Sequence, residues 1–513
     1  MRSTAAFLLL TLISSGCLHR PTTDPNVLVV GITSGPNNLD PRIGTDDVSG
    51  KTAQLIFNNL MTLDENLRVT PDLAERLENP DPTTYVVIVK HGVLFHDGHE
   101  LTSSDVVYTF RSLLDPAFVS PRKGAFRMVQ SIERQDRYTV VFRLKEPFAS
   151  FPVNLVIPIV PDGVGAAFRD HPIGTGPYRF VRYLTDDRIE LERFDGYFGG
   201  QPKNHGLVLR IVPDDIMRGL ELRKGTMDVV VNDLAPDIVY QLGQDHDLQL
   251  VKAPGVDYQY IGVNTRDPIL QNRLVRQAIA YAIDKEAIIT HLRRGLAIPA
   301  TGLLPPVSWA YAADVASYPY DPVRARQLLD KAGFHDPDGD GPEPRLHLTL
   351  KMSNVEFNRL QASVIQENLR AVGIALEVRA YEFATLYADV LNGNFQLYFL
   401  QWVGGAVADP DILRRVFHST QVPPTGFNRG YYKNERVDYF LDLAAAAEDG
   451  PMRRRYYGAV QAIVADEQPY ISLWCKTNVA VARRSLAGFH ILPTADFTFL
   501  KDVARTTPDP AAH

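Results

Sequence analysis

The spacing of apolar positions changes along this chain, and the changes divide it into parts. Short apolar or alternating runs predict strands at VLVVG (27–31), YTVVFRL (138–144), DRIELER (187–193), LVLRIV (207–212) and DVVV (228–231), and at RLHLTLK, where Leu346, Leu348 and Leu350 share one face. Helical spacing runs through Val106, Phe110 and Leu113, through Val275, Ile279, Ala282 and Ile283, and through Phe357, Leu360, Val364, Ile365, Leu369 and Val372 up to Gly373. Punctuation agrees with the periods. Thr102 and Asp105 have capping-box spacing, Asp284 is placed to cap a helix, and Asp321 followed by Pro322 opens a helix that Gly333 stops. Strand, helix, strand units on either side of a mixed segment of about 120 residues predict two α/β lobes and an inserted α+β lobe.

HPIGTGPYRF (171–180) lies at the end of that inserted segment. Pro172, Gly174, Gly176 and Pro177 exclude a helix and predict a fixed turn between extended segments. Pro177 supplies no N–H and no Lys-Ser or Lys-Thr pair follows, so the glycines do not cradle a phosphate. The stretch reads as the return from one lobe to another.

With 513 residues the chain is too long for one hydrophobic core, and its net charge of -7 excludes nucleic acid as the main partner. Residues 1–17 form a different class of segment: Met1 and Arg2, the apolar run AAFLLLTLI, then Ser14, Ser15 and Gly16 before Cys17. This layout predicts a signal peptide whose end resembles a bacterial lipobox, with lipid carried by Cys17 and with Ser14 where that motif usually has leucine. Residues 18–26 read as a tether. Cys475, in the apolar run YISLWC, is expected to be a buried thiol without a disulfide partner.

Searching for chemistry returns little. HExxH, GxSxG, CxxC and Walker patterns are missing from the sequence, and no cofactor is expected. His91, His96 and His99 beside Asp97 and Glu100 read as a polar turn before a helix rather than a metal site. Residues 336–343 begin like a calcium loop, but His347 stands at its twelfth position, so a solvated turn is expected. Aromatic and polar density is highest late in the chain, where Trp402, Phe427, Tyr431 and Tyr432 lie near Asp409, Asp411 and Asn428; such walls hold small molecules or peptides.

The segments LDP (39–41), FHDGHELTSSDVVYTF, PIGTGPYRF, YFGG (197–200), LELRKGTMDVV, YIGVNTRDPILQNRLVRQAIAYAIDKEAI, YDPVRARQLLDKAGFHDPDGDG and NRGYYKNERVD together resemble the extracytoplasmic solute-binding proteins of ABC importers, in the peptide, dipeptide and nickel class. That resemblance implies a bilobal α/β fold of the periplasmic-binding-protein type II kind with an extra inserted domain. Domain I would comprise 27–48, 172–259 and a return from 477; domain II would be 49–171 and domain III 260–476, with crossings near Tyr260 and near Trp474 to Asn478. It implies a monomer that takes a peptide or other small solute and passes it to membrane permease subunits. Its ligand contacts map onto Ser34, Asp47, Asn264, Trp402, Asp409, Phe427, Asn428 and Tyr431. Peptide binders of the class place an aspartate a few residues after the tryptophan-segment aromatic, where it meets a peptide's amino terminus. Here Gly404, Gly405 and Ala406 follow Val403. A metal chelate, an oligosaccharide or a drug-like metabolite is therefore an open alternative, beside an exported hydrolase and a sensor that presents its liganded form to a receptor.

Overall fold

Two strands run far longer than the sequence pattern predicts: Leu248–Val263 with 16 residues and Tyr470–Arg483 with 14. They pair antiparallel along most of their length in a computed structural model that describes residues 24–506 except 340, 425 and 449. Cys17, the predicted signal peptide and most of the tether lie outside the described residues.

The two long strands belong to both halves of one 11-stranded sheet. On one side Tyr470–Arg483 pairs with Val229–Val231, after which come Val27–Ile32, Gly206–Ile211, Arg188–Arg193 and Tyr178–Leu184. On the other side Leu248–Val263 pairs with Leu397–Trp402, after which come Leu346–Ser353 and Ile374–Tyr381. Helix Asp215–Lys224 links Gly206–Ile211 to Val229–Val231, the two parallel neighbours that flank Val27–Ile32, and Glu356–Arg370 links the adjacent parallel strands Leu346–Ser353 and Ile374–Tyr381, as the α/β reading requires. Caps fall where the side chains predict: Asp284 accepts from the Ala287 N–H, Asp321 from Arg324, and Thr102 with Asp105 closes a capping box on Ser103–Leu114.

A separate four-stranded antiparallel sheet, Ala74–Asp81, Thr84–Val89, Thr139–Leu144 and Val129–Arg134, forms the insertion. Helix Ser103–Leu114 packs on it through Val106, Phe110 and Leu113, and Phe110 meets Phe126 and Phe142 edge-on at 5.5 and 5.1 Å. The insertion's core begins at Leu60. Helix Asp47–Ile56 instead buries Val48, Ala53, Leu55 and Ile56 in the core that holds Leu28 and Val30.

HPIGTGPYRF joins these two cores by backbone contacts. The Gly176 N–H donates to the Ile56 carbonyl at 2.9 Å, and Thr175 exchanges hydrogen bonds with Asn58. Both glycines are required for a steric reason: a Cβ on Gly174 would stand 2.0 Å from the Ile56 oxygen, and one on Gly176 would stand 2.5 Å from the Ile56 carbonyl carbon. Neither has a positive φ. His96 completes the joint. Its Nδ1 accepts from the Gly174 N–H, its Nε2 donates to the Gly176 carbonyl at 3.0 Å, and burial pushes the ring's pKa down to about 4. His99 pairs with Asp97 at 2.6 Å and His91 stacks on Tyr138.

Among the described residues no helix is long and apolar enough to cross a membrane, and no group of three or more His, Cys, Asp or Glu is arranged to hold a metal ion. Cys475 is buried on a crossing strand, where desolvation pushes its thiol up to about 12.

Candidate functional site

The crossing of the long strands is irregular in a way that suits a hinge. Pairing runs in register from Leu248 with Arg483 to Pro254 with Thr477, then shifts before Tyr258 meets Cys475, and shifts again between Gln259 and Tyr260. Pro254 lacks a donor, and a Cβ on Gly255 would lie 2.2 Å from the Lys476 carbonyl oxygen, so glycine lets the strands approach here. Side chains fix the crossing on either side. Asn478 donates to the carbonyls of Pro254 and Pro493 and accepts from Asn232, while the Trp474 ring nitrogen donates to Gln259 at 2.8 Å.

On the first lobe, Ser34 is exposed in the loop that follows Val27–Ile32. Asp47 is exposed in the first turn of Asp47–Ile56 and pairs with Lys51 at 2.7 Å. Lys51 in turn lies 3.8 Å from Asp233, whose carboxyl is held above the usual carboxylate range by burial even though Lys51 and Lys476 attract its charged form. Asp47 therefore belongs to a group of alternating charges, Asp47, Lys51 and Asp233, that reaches Lys476 on the crossing strand.

On the opposing lobe the predicted residues separate into three places. Trp402 pairs with Tyr258 at the crossing end of its strand, and its ring meets Phe427 at 5.3 Å. Asn264 follows the far end of Leu248–Val263, where Val263 pairs with Leu397. Its amide donates to the Phe395 carbonyl at 2.9 Å and its oxygen accepts from the Arg266 N–H. Asn428 is similarly committed, donating to the carbonyls of His418 and Tyr432 and accepting from the Tyr432 N–H at 2.9 Å. Tyr431, at a positive φ of 56°, lies under the Arg266 guanidinium 3.2 Å from its ring centre. Asp409 accepts from the Ser150 hydroxyl of the insertion at 2.9 Å and from the Asp411 N–H.

Arginines are what the aromatic pattern did not disclose. Arg429 lies over Trp402, Phe427 and Tyr387 at 5.0, 5.3 and 5.1 Å from their ring centres, and Arg415 covers Phe427 at 4.6 Å. The signal was in the motif NRGYYKNERVD, whose second residue is Arg429. Trp402 Nε1 and Arg429 Nε are buried without a hydrogen-bond partner among the described residues, at a cost of about 1–3 kcal/mol for each such donor.

The insertion and the opposing lobe meet around this wall. Leu67, at the tip of the hairpin Met61–Leu63 and Val69–Pro71, is 1% exposed within the core that contains Tyr258, Trp402 and Tyr457. The Trp309 N–H donates to the Asn66 carbonyl at 3.1 Å and the Ala149 N–H to Ala445 at 3.1 Å. Beside these contacts a cavity of about 700 Å³ opens between the two parts, lined by Arg122, Arg127 and Phe148 of the insertion and by Asp411, Arg414 and Arg415 of the lobe. That volume suits a small molecule or short peptide. A cavity of about 770 Å³ on the seam between the first loop and the insertion holds Arg42, whose guanidinium is already taken by Asp40 at 2.7 Å.

Comparison with known proteins places this geometry. The family model for the middle region of bacterial extracellular solute-binding proteins, family 5, matches residues 68–424. The chain is 31% identical over 491 residues to the glutathione-binding protein GsiB of Escherichia coli O6:K15:H31, covering 92% of this chain and 93% of that one. The oligopeptide-binding protein AppA of Bacillus subtilis, solved with a nonapeptide, superposes with a TM-score of 0.75 at 28% identity, covering 94% of this chain and 99% of that one. The ABC transporter substrate-binding protein CtaP of Listeria monocytogenes superposes with a TM-score of 0.83 at 26% identity over 94% and 99% of the two chains. A hinge of two shared strands, an insertion docked across it and sequence agreement along nearly the whole chain lead to one conclusion: this protein belongs to the family 5 bacterial extracellular solute-binding proteins.

Proposed function

We propose that this protein is the extracytoplasmic capture component of an ABC importer, closing on a peptide-like solute between its lobes and presenting it to the membrane permease. The observation that carries this reading is the pair of crossing strands, which are continuous through both lobes yet break register twice between Pro254 and Tyr260. Such a crossing lets two rigid cores rotate while staying joined, and a solute touching both cores favours the closed arrangement. The relatives' names point to glutathione and oligopeptides, and a peptide-like solute is the class they share.

Within this reading domain I comprises 27–48, 172–259 and the return from 477, domain II 49–171 with its first helix, Asp47–Ile56, packed on the core of domain I, and domain III 260–476. Ser34 and Asp47 approach the solute from domain I, and Trp402 and Phe427 from domain III. Asn264, Asn428 and Tyr431 shape the loops behind them. The mature protein is a monomer held at the membrane by lipid on Cys17. A Cys17→Ala variant should then be recovered in the soluble extracytoplasmic fraction without the mass of the acyl groups.

Native mass spectrometry of untreated protein tests the capture reading directly. A bound peptide-like mass, and restoration of thermal stability when that compound is returned to unfolded and refolded protein, is the expected result. A non-peptide solute is the second reading, favoured by Gly404 and Gly405 after Trp402 and by the commitment of Asp409 to Ser150, which leave a peptide's amino terminus without its usual acidic partner. A metal chelate or saccharide mass in the same measurement would establish it.

A further inference from the structure

Of the side-chain atoms buried in the opposing lobe without a hydrogen-bond partner, three lie on neighbouring residues: the Tyr260 hydroxyl, Trp402 Nε1 and Arg429 Nε. Register brings them together. Tyr258 pairs with Trp402 and Tyr260 with Leu400, so Tyr260 and Trp402 project from one face of the sheet as diagonal neighbours. Arg429 lies over the same tryptophan, its guanidinium 5.0 Å from the ring centre. All three side chains are more than nine-tenths buried. Each of the three atoms can donate, and none bonds another. The hydroxyls of Tyr398 and Tyr470, whose rings pack on Tyr260, bond each other at 3.3 Å.

Charge supplies a second, independent observation. Arg429 donates from one Nη to the Tyr387 hydroxyl at 3.0 Å and pairs with no carboxylate among the described residues. Burial alone would draw its pKa down; the tyrosines that face it, Tyr260, Tyr470, Tyr398 and Tyr387, hold it above the usual range, so the guanidinium stays charged. Buried cations are ordinarily paired, and this one is not. A water molecule could accept from the three donors but would leave the charge unanswered, whereas an anion answers both. Going beyond the solute-capture reading, we infer that Tyr260, Trp402 and Arg429 form an anion site behind the aromatic wall, taking one small monovalent anion, either a free halide or the carboxylate group of a bound solute. Charge-assisted hydrogen bonds to such an anion are the strong ones, and they fix Trp402 and Arg429 together. The occupant thereby sets the shape of the wall.

The test is a melting-temperature titration of refolded, solute-free mature protein with sodium bromide and with sodium acetate. Sodium gluconate, whose anion is too bulky for the site, holds the ionic strength constant so that screening does not change. Each probe should raise the melting temperature by several degrees, with a saturable midpoint below about 0.05 M. Arg429→Gln should abolish the rise, and Arg429→Lys should keep part of it. Trp402→Phe and Tyr260→Phe each remove one donor while keeping a ring, and each should move the midpoint upward about tenfold. Lost packing alone would lower the melting temperature in every salt and leave the midpoint where it was. Arg370→Gln, which breaks only a surface pair with Glu367, should change nothing. Calorimetry with glutathione identifies the source of the anion: an affinity that falls as bromide replaces gluconate assigns the site to a solute carboxylate, and bromide binding that leaves glutathione unaffected assigns it to a free anion. No saturable response to either probe, or a wild-type midpoint in Arg429→Gln, overturns the anion site and leaves solute capture standing. Native mass spectrometry that finds no bound small molecule removes the capture reading without touching the anion site, which the bromide midpoint decides.

Discussion

His96 shows how a residue suspected of chemistry can be structural. Its ring gives one nitrogen to the Gly174 N–H and the other to the Gly176 carbonyl, which requires the neutral form. The folded pKa of about 4 lies below the usual 6.5, so the unfolded chain binds the extra proton between these values. Stability from this group is full above pH 6.5 and is lost as pH falls toward 4, by about 3 kcal/mol at most. Urea unfolding at pH 7 and pH 4.5 should reveal the loss, and His96→Gln, which keeps an acceptor and a donor without titrating, should flatten that part of the pH profile. Beside it, Gly176→Ala forces a methyl group against the Ile56 carbonyl and should cost about 2–4 kcal/mol. The ligand affinity of the protein that still folds should be unchanged. At this scale the sequence discloses residue types better than their partners. Asn264 and Asn428 sit in turns near aromatics, as ligand contacts do, but an asparagine that bonds its own loop produces the same pattern.

Elements were the most legible level. The helices opened by Thr102, Asp284 and Asp321 begin where their caps predict, because capping is a local property written within four residues. The long strand Leu248–Val263 escaped because its middle, KAPGVDYQ, contains Pro254 and Gly255, which read as breakers. The pairing with Tyr470–Arg483 overrides that local preference, since more than 200 residues of sequence separation hide it from any window. Gly255→Val should expose the constraint. The added bulk meets the Lys476 carbonyl, so the melting temperature should fall by several degrees, and small-angle scattering should show a smaller compaction on adding ligand than in wild type.

For the whole molecule, the number of lobes and the insertion follow from length and period changes, whereas the way the insertion docks does not. Leu67 is one apolar residue in a polar hairpin tip, DENLR, and nothing in that stretch marks it as entering the core of another lobe. Burying such a side chain is worth about 1.5–3 kcal/mol. Leu67→Ala should therefore loosen the docked arrangement more than it harms either core. The expected outcome is ligand affinity reduced about tenfold or more, with faster amide exchange at Ala149 and Trp309 and little change elsewhere. Exchange rising uniformly would assign Leu67 to folding instead of closure.

The chain has three tryptophans, two at the strand crossing and one where the insertion meets the opposing lobe. Trp474 is fully buried on a crossing strand beside Arg293, Trp402 lies under Arg429 at the end of the same crossing, and Trp309 bonds the insertion while Arg68 and Arg453 flank its ring. Indole emission responds to nearby charge and to water, so each ring is a built-in optical gauge of one joint. Single-tryptophan versions, with phenylalanine at the other two positions, would report whether the strand crossing, the aromatic wall and the insertion dock move together or in sequence, without any attached dye.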